Sequence, residues 1–168
     1  MTHNLKYEFV VDEENKSITV KREFAAKREL VWDAYTKSEI LDKWWAPHPW
    51  KAKTKSMDFS VGGRWLYAMV GPGGGEEQWS VEQYLQINPK TQFTALDAFT
   101  NAHGEVNKEM PQAKWDVTFA DHANHTMVQI VLSFSDVAQL KAIIKTGFKE
   151  GLAMGMENLD ALLTGKQH

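Results

Sequence analysis

Between residues 136 and 163 the apolar side chains Leu140, Ile143, Ile144, Phe148, Leu152, Met156, Leu159, Leu162 and Leu163 fall at three- and four-residue steps. That is the period of one helix face, and it predicts a single helix running the length of the stretch. Asp136 is placed to cap its start, and Gly165 can take the left-handed conformation that ends a helix. Within it Gly147, Gly151 and Gly155 recur four residues apart, each at a cost of about 1 kcal/mol relative to alanine. A penalty repeated along one stripe calls for a reason: either a backbone packs closely on these glycines or open space lies beside them. Lys141, Lys145, Lys149, Glu150 and Glu157 exclude a membrane span.

The rest of the chain supplies the layer such a helix needs. Leu5, Tyr7, Phe9 and Val11 alternate with Lys6, Glu8 and Val10, and after a polar turn a β-branched strand runs from Ile18 to Phe24, which predicts an N-terminal hairpin. From Lys27 to Thr36 the period becomes helical, and Ser38 is placed to cap a second short helix that reaches Trp44 and is ended by Pro47 and Pro49. Six strands follow in sequence, over 51–59, 64–70, 78–87, 92–99, 114–120 and 126–134. Residues 101–112 form the longest connection without structure of its own, a candidate lid. A six-strand meander is naturally antiparallel and curved, and helix 136–163 is the element long enough to cover one of its faces. The expectation is an α+β fold in one domain, 1–168, with 1–16 as an extra N-terminal strand and turn, and a space between sheet and helix.

Several function classes fall away. The chain has no cysteine, so it has no thiolate metal site and no cysteine nucleophile, and a cytoplasmic location is the simplest expectation. Its N-terminus lacks a basic segment followed by an apolar run, as a signal peptide would have. A net charge of −3 with three arginines, Arg22, Arg28 and Arg64, gives no nucleic-acid footprint. The six histidines form no metal pattern: His122 and His125 fall in a turn between strands and read as solvated. Gly71–Gly75 leads into Glu76-Glu77 and a strand, not into a lysine and a helix, so it is no phosphate loop. No Gly-x-Ser-x-Gly occurs, which disfavours a serine hydrolase. No cofactor is implied. Seven tryptophans, four tyrosines and eight phenylalanines exceed what a core of this size requires, and aromatic walls are common in small-molecule pockets.

Arg22-Glu-Phe-Ala25, Val31-Trp32-Asp-Ala34, Thr36 with Glu39, Trp44-Trp45-Ala-Pro47 with Pro49-Trp50, Gly62-Gly63-Arg64-Trp65, Asp97-Ala98-Phe99, and Gly155 before Leu159 run in an order that resembles the Activator of Hsp90 ATPase homologue 1-like branch of the START/Bet v 1-like (SRPBCC) superfamily. The resemblance covers about residues 18–163 and implies a helix-grip fold, a curved antiparallel sheet gripping the C-terminal helix around a cavity. It implies no single activity, because the superfamily includes lipid carriers, hormone receptors, cyclases and co-chaperone domains. Two positions depart from its pattern. Lys27 stands where a proline often opens the first helix, which only loosens the helix start, and Met156 where a tryptophan follows the last glycine, an adaptable side chain in place of a rigid wall that implies a larger or less selective pocket than in relatives. The eukaryotic co-chaperone carries a further N-terminal domain for which this chain has no room, which argues against an Hsp90 partner.

The ligand-binding candidates follow from faces and from the resemblance together. Trp65, Tyr67 and Met69 share one face of their strand, and Phe148, Gly151, Leu152 and Gly155 belong to the long helix. Asp97 lies on the same face as Phe99, so an inward Phe99 brings a carboxyl into the cavity, where desolvation raises its pKa. The facing of strand 78–87 stays open. Hydrophobicity turns Trp79, Val81, Leu85 and Ile87 inward, whereas the family pattern turns in Glu82, Tyr84 and Gln86, in which case Glu82 and Asp97 would share a proton. Trp45 completes the set.

Non-enzymatic binding of a small apolar or amphipathic molecule, lipid-like in character, is favoured. A cyclase- or isomerase-type enzyme using Asp97 with Tyr67 or Tyr84 is one alternative. An interaction domain with Trp44, Trp45 or Trp50 as an exposed patch is another, and a homodimer is left open.

Overall fold

Alternation along the chain becomes eight strands: β1 (Tyr7–Asp12), β2 (Ser17–Phe24), β3 (Lys51–Met57), β4 (Arg64–Val70), β5 (Glu77–Asn88), β6 (Gln92–Thr100), β7 (Ala113–His122) and β8 (His125–Ser133). The computed structural model describes residues 7–165. Leu5 and Lys6, expected to open the first strand, lie outside the described residues, as do His3 and His168. The strands form one sheet in the order β1-β2-β8-β7-β6-β5-β4-β3, every neighbouring pair antiparallel. The meander β3–β8 is as expected, and the pairing of β2 with β8 joins the N-terminal hairpin to it, leaving β1 and β3 as the two margins.

Burial follows the period of two. Ile18, Val20 and Phe24 of β2 and Val128, Ile130 and Leu132 of β8 are fully buried at alternate positions, each removing an apolar side chain from water at roughly 1.5–3 kcal/mol. Helices α1 (Arg28–Thr36) and α2 (Ser38–Trp44) follow β2. Lys37, not Ser38, occupies the cap of α2: its extended backbone takes the turn and Ser38 is already the first helical residue. Trp32 of α1 stands edge-on to Phe59, Phe93 and Phe119, and Tyr35 packs against Trp44 and Phe119, so this end of the interior is filled by rings.

The C-terminal stretch is two helices, α3 (Val137–Lys145) and α4 (Phe148–Leu163), which corrects the single helix over 136–163. Asp136 caps α3 by accepting from the Gln139 N–H at 2.9 Å. Gly147 ends it, at φ 86°, a left-handed conformation that side-chain-bearing residues avoid, while the Thr146 hydroxyl donates to the Ile143 carbonyl at 2.6 Å. Gly147 therefore carries no helix-interior penalty; it makes the joint. Leu140, Met156 and Leu159 are fully buried in the same cluster as the inner faces of the sheet. Among the described residues no helix is long and apolar enough to cross a membrane.

His122 is exposed, as expected of a solvated turn residue, whereas His125 is half-buried with its Nδ1 2.9 Å from a Glu23 carboxyl oxygen. Residues 101–112, the candidate lid, are anchored at their start. Arg64 donates to the Gly104 carbonyl and Lys55 to the Ala102 carbonyl, and Arg64 alternates with the inward Trp65, so the start of the loop is tied to the convex face.

Candidate functional site

Strand parity decides which side chains meet inside. Trp65 and Tyr67 on β4 are 1% and 4% exposed and stack with ring centroids 4.0 Å apart. The register sets Ser80 opposite Tyr67, Glu82 opposite Trp65 and Asp97 opposite Glu82, so Ser80, Glu82 and Asp97 all face inward. This settles β5 in favour of Glu82 and Tyr84. Hydrophobicity misleads there because Val81 is buried on the convex face, in a separate patch with Leu66 and Ala98 on which Trp79 packs. The register also shifts between Tyr84 and Gln86, which breaks the alternation that Leu85 and Ile87 would have extended.

Where the aromatic packing stops, a cavity of about 300 Å³ remains between β4–β7 and the α3–α4 joint. Of the residues expected from sequence, Trp45, Tyr67, Met69, Asp97, Phe99, Phe148, Gly151 and Leu152 line it. Trp65, Tyr84 and Gly155 do not. Trp65 lies behind Tyr67 with its indole N–H bound to Thr54 Oγ1 at 3.0 Å, and Tyr84 is locked among Phe59 and Phe93. Gly155 is a close backbone approach: a Cβ there would stand 3.1 Å from the Trp45 carbonyl oxygen and 3.3 Å from that of Trp44. At Gly151 the nearest atom to a Cβ is Pro47 Cγ, at 3.6 Å, on the cavity rim. The glycine stripe therefore does three separate jobs: joint, opening and close contact.

Gly147, part of the glycine stripe, also lines the cavity, and sequence reasoning missed Pro47, Trp50, Gln78, Ser80, Trp115, Ile143 and Thr146 as lining residues. Trp115 was findable, since its strand alternates Ala113, Trp115, Val117 and Phe119 on one face. The rim residues were not, because they come from a turn and a helix break. The trio Trp44, Trp45 and Trp50 forms no exposed patch. Trp44 is 1% exposed and donates to the Ala34 carbonyl at 2.9 Å; Trp45 and Trp50 are half-buried at the cavity wall.

Trp45 is the fixed panel of that wall, edge-on to Trp44 and Trp65, with its indole N–H donated to the Tyr67 hydroxyl at 2.9 Å. The polar side is carboxylic. Asp97 borders the cavity and its pKa is pushed up to about 7 by burial; the buried Trp115 indole N–H, which lacks a well-formed hydrogen bond, pulls it the other way without offsetting burial. Glu82, 4% exposed and directly across the strand pair, is held well above the ordinary carboxylate range, by burial first and by Asp97 second. Burial also raises the Tyr67 hydroxyl, with Asp97 and Glu82 adding to the effect. Opposed positions on an antiparallel pair put Cβ atoms about 5 Å apart, so the two carboxyls cannot both ionise freely and share a proton near neutral pH. Among the described residues no lysine or arginine forms an ion pair with either.

The model of the family described as Activator of Hsp90 ATPase homolog 1-like protein matches residues 25–164. The crystal structure of protein Ms6760 from Mycobacterium smegmatis is similar at 27% identity and TM-score 0.88, covering 98% of this chain and 99% of that one. The solution NMR structure of a protein from Arthrobacter aurescens is similar at 27% identity and TM-score 0.87, covering 94% and 91%. CalU16 from Micromonospora echinospora, at 16% identity, TM-score 0.63 and coverage of 98% and 78%, shares the fold alone. No curated protein matches the chain. With a helix-grip sheet around a C-terminal helix and a family match over most of its length, the chain belongs to the Activator of Hsp90 ATPase homolog 1-like family.

Proposed function

We propose that the protein binds a small apolar or amphipathic molecule in the cavity between its sheet and the α3–α4 joint. The cavity itself carries this: about 300 Å³, walled by Trp45, Tyr67, Phe99, Trp115 and Phe148, with Gln78, Ser80 and Asp97 on one side. That is the small end of the range for ligand pockets, in which a mostly apolar wall supplies affinity and a few polar groups fix orientation. The test uses Gly151. A leucine there would project past Pro47 into the cavity, so Gly151→Leu should keep a cooperative thermal transition near that of the wild type while uptake of Nile red, a neutral apolar dye, falls about tenfold or more. Dye uptake unchanged in a folded Gly151→Leu protein would refute the proposal.

One observation supports acid–base chemistry on the bound molecule as a second role: Asp97, which titrates at about 7, and the Tyr67 hydroxyl both border the cavity. Tyr84 takes no part in it, because it is enclosed by Phe59 and Phe93. A turnover assay on any ligand recovered from the protein, compared with Asp97→Asn, checks this.

A further inference from the structure

The charge of the cavity wall narrows the ligand class. This step rests on the proposed binding function and asks what kind of molecule the wall accepts. The lining holds one ionisable acid, Asp97, and no lysine, arginine or histidine. A second carboxyl, Glu82, lies directly across the strand pair behind it. The groups packed around Asp97 from the other elements add no positive charge. β4 contributes the Tyr67 hydroxyl, β5 contributes Gln78, Ser80 and Glu82, β7 contributes Trp115, and α3 and α4 contribute Ile143, Thr146, Phe148 and Leu152. The lysines flanking the joint, Lys145 and Lys149, are exposed, and Lys149 sits over the Phe9 ring outside the cavity. Burying acidic groups without a compensating cation is costly, and a fatty-acid or phosphate head would add a further negative charge to the same apolar space. The ring faces of Trp45, Tyr67 and Trp115 present negative electrostatic potential, which attracts a cation as well.

We infer that the cavity takes an amphipathic molecule bearing a protonated amine, its ammonium meeting the Asp97 carboxylate and its apolar body lying against Trp45, Trp115 and Phe148. Asp97 is the group that reaches the cavity; Glu82 stays behind it and accommodates the proton that the pair shares. The Trp115 indole N–H favours the ionised form of Asp97 and so prepares it for the cation.

The test is displacement of Nile red by octylamine, octanol and octanoate, three chains of matched length with a positive, neutral and negative head. Octylamine should displace the dye about tenfold more effectively than octanol, the equivalent of one charge-assisted hydrogen bond, and octanoate should be weakest. In Asp97→Asn, checked for an unchanged thermal transition, the preference for amine over alcohol should vanish. The same preference should also shrink in the wild type as pH falls from about 8 to about 5 and Asp97 takes up its proton, a measurement that stands even if the variant does not fold. Octanol or octanoate displacing as well as octylamine, a preference that survives Asp97→Asn, or one that is flat with pH would overturn the amine assignment while leaving the cavity as a binding site. Failure of Nile red to bind at all would overturn both.

Discussion

A carboxyl that is harder to ionise in the folded chain than in the unfolded one reverses the usual dependence of stability on pH. Asp97, at about 7, and Glu82, held well above its ordinary range, keep protons that the unfolded chain releases at about pH 4. The folded state thus binds more protons through that window, and their contribution falls as pH rises across it. Glu82→Gln and Asp97→Asn should each flatten this decline, so the denaturant midpoint of either variant drops less than that of the wild type between about pH 4 and about pH 7. Equal slopes in wild type and variants would mean that the carboxyls ionise as freely inside as outside. Asp97 was legible in the sequence because Phe93, Ala95 and Phe99 mark its side of the strand. Glu82 was legible only through the family pattern and not through hydrophobicity, because Val81 found burial on the convex face and a register shift hid the true parity.

Helix α4 meets α2 through its glycines, and the two interior ones respond differently to a methyl group. Gly155→Ala would press a Cβ onto the Trp44 and Trp45 carbonyls at the end of α2, the first of which also accepts from the Asn158 side-chain amide at 3.5 Å. It should destabilise by about 1–2 kcal/mol despite the better helix propensity. Gly151→Ala meets only Pro47 at ordinary contact distance and should stabilise by up to about 1 kcal/mol. Urea melts of the pair check the opposite signs. From sequence the three glycines looked equivalent, because apolar spacing continues in phase across Gly147 from Ile144 to Phe148 and a two-residue joint leaves no mark in it. The cap at Asp136 was readable since it depends on one side chain and its own backbone. Ser38 was misplaced by one residue, because Lys37 caps by backbone alone.

Across the whole molecule, the strand meander, the N-terminal hairpin and the helical C-terminus were legible because each rests on a local period; the rim was not, because it joins residues some hundred positions apart, Pro47 and Trp50 with Thr146 and Gly147. The sheet they sit on never closes on itself, and its two margins differ. Along β3 the side chains of Lys51, Lys53 and Lys55 are exposed, and the Thr54 N–H, which would otherwise offer itself to a neighbouring chain, is taken by the Asp42 carboxyl of α2 at 3.0 Å. A charged and partly capped margin is a poor template for a strand from another molecule. The exposed lysines of this margin therefore work against pairing between molecules. Replacing Lys51 and Lys53 together with valine should leave the thermal transition in place, yet concentrated solutions should turn turbid on mild heating, read by light scattering, where the parent stays clear.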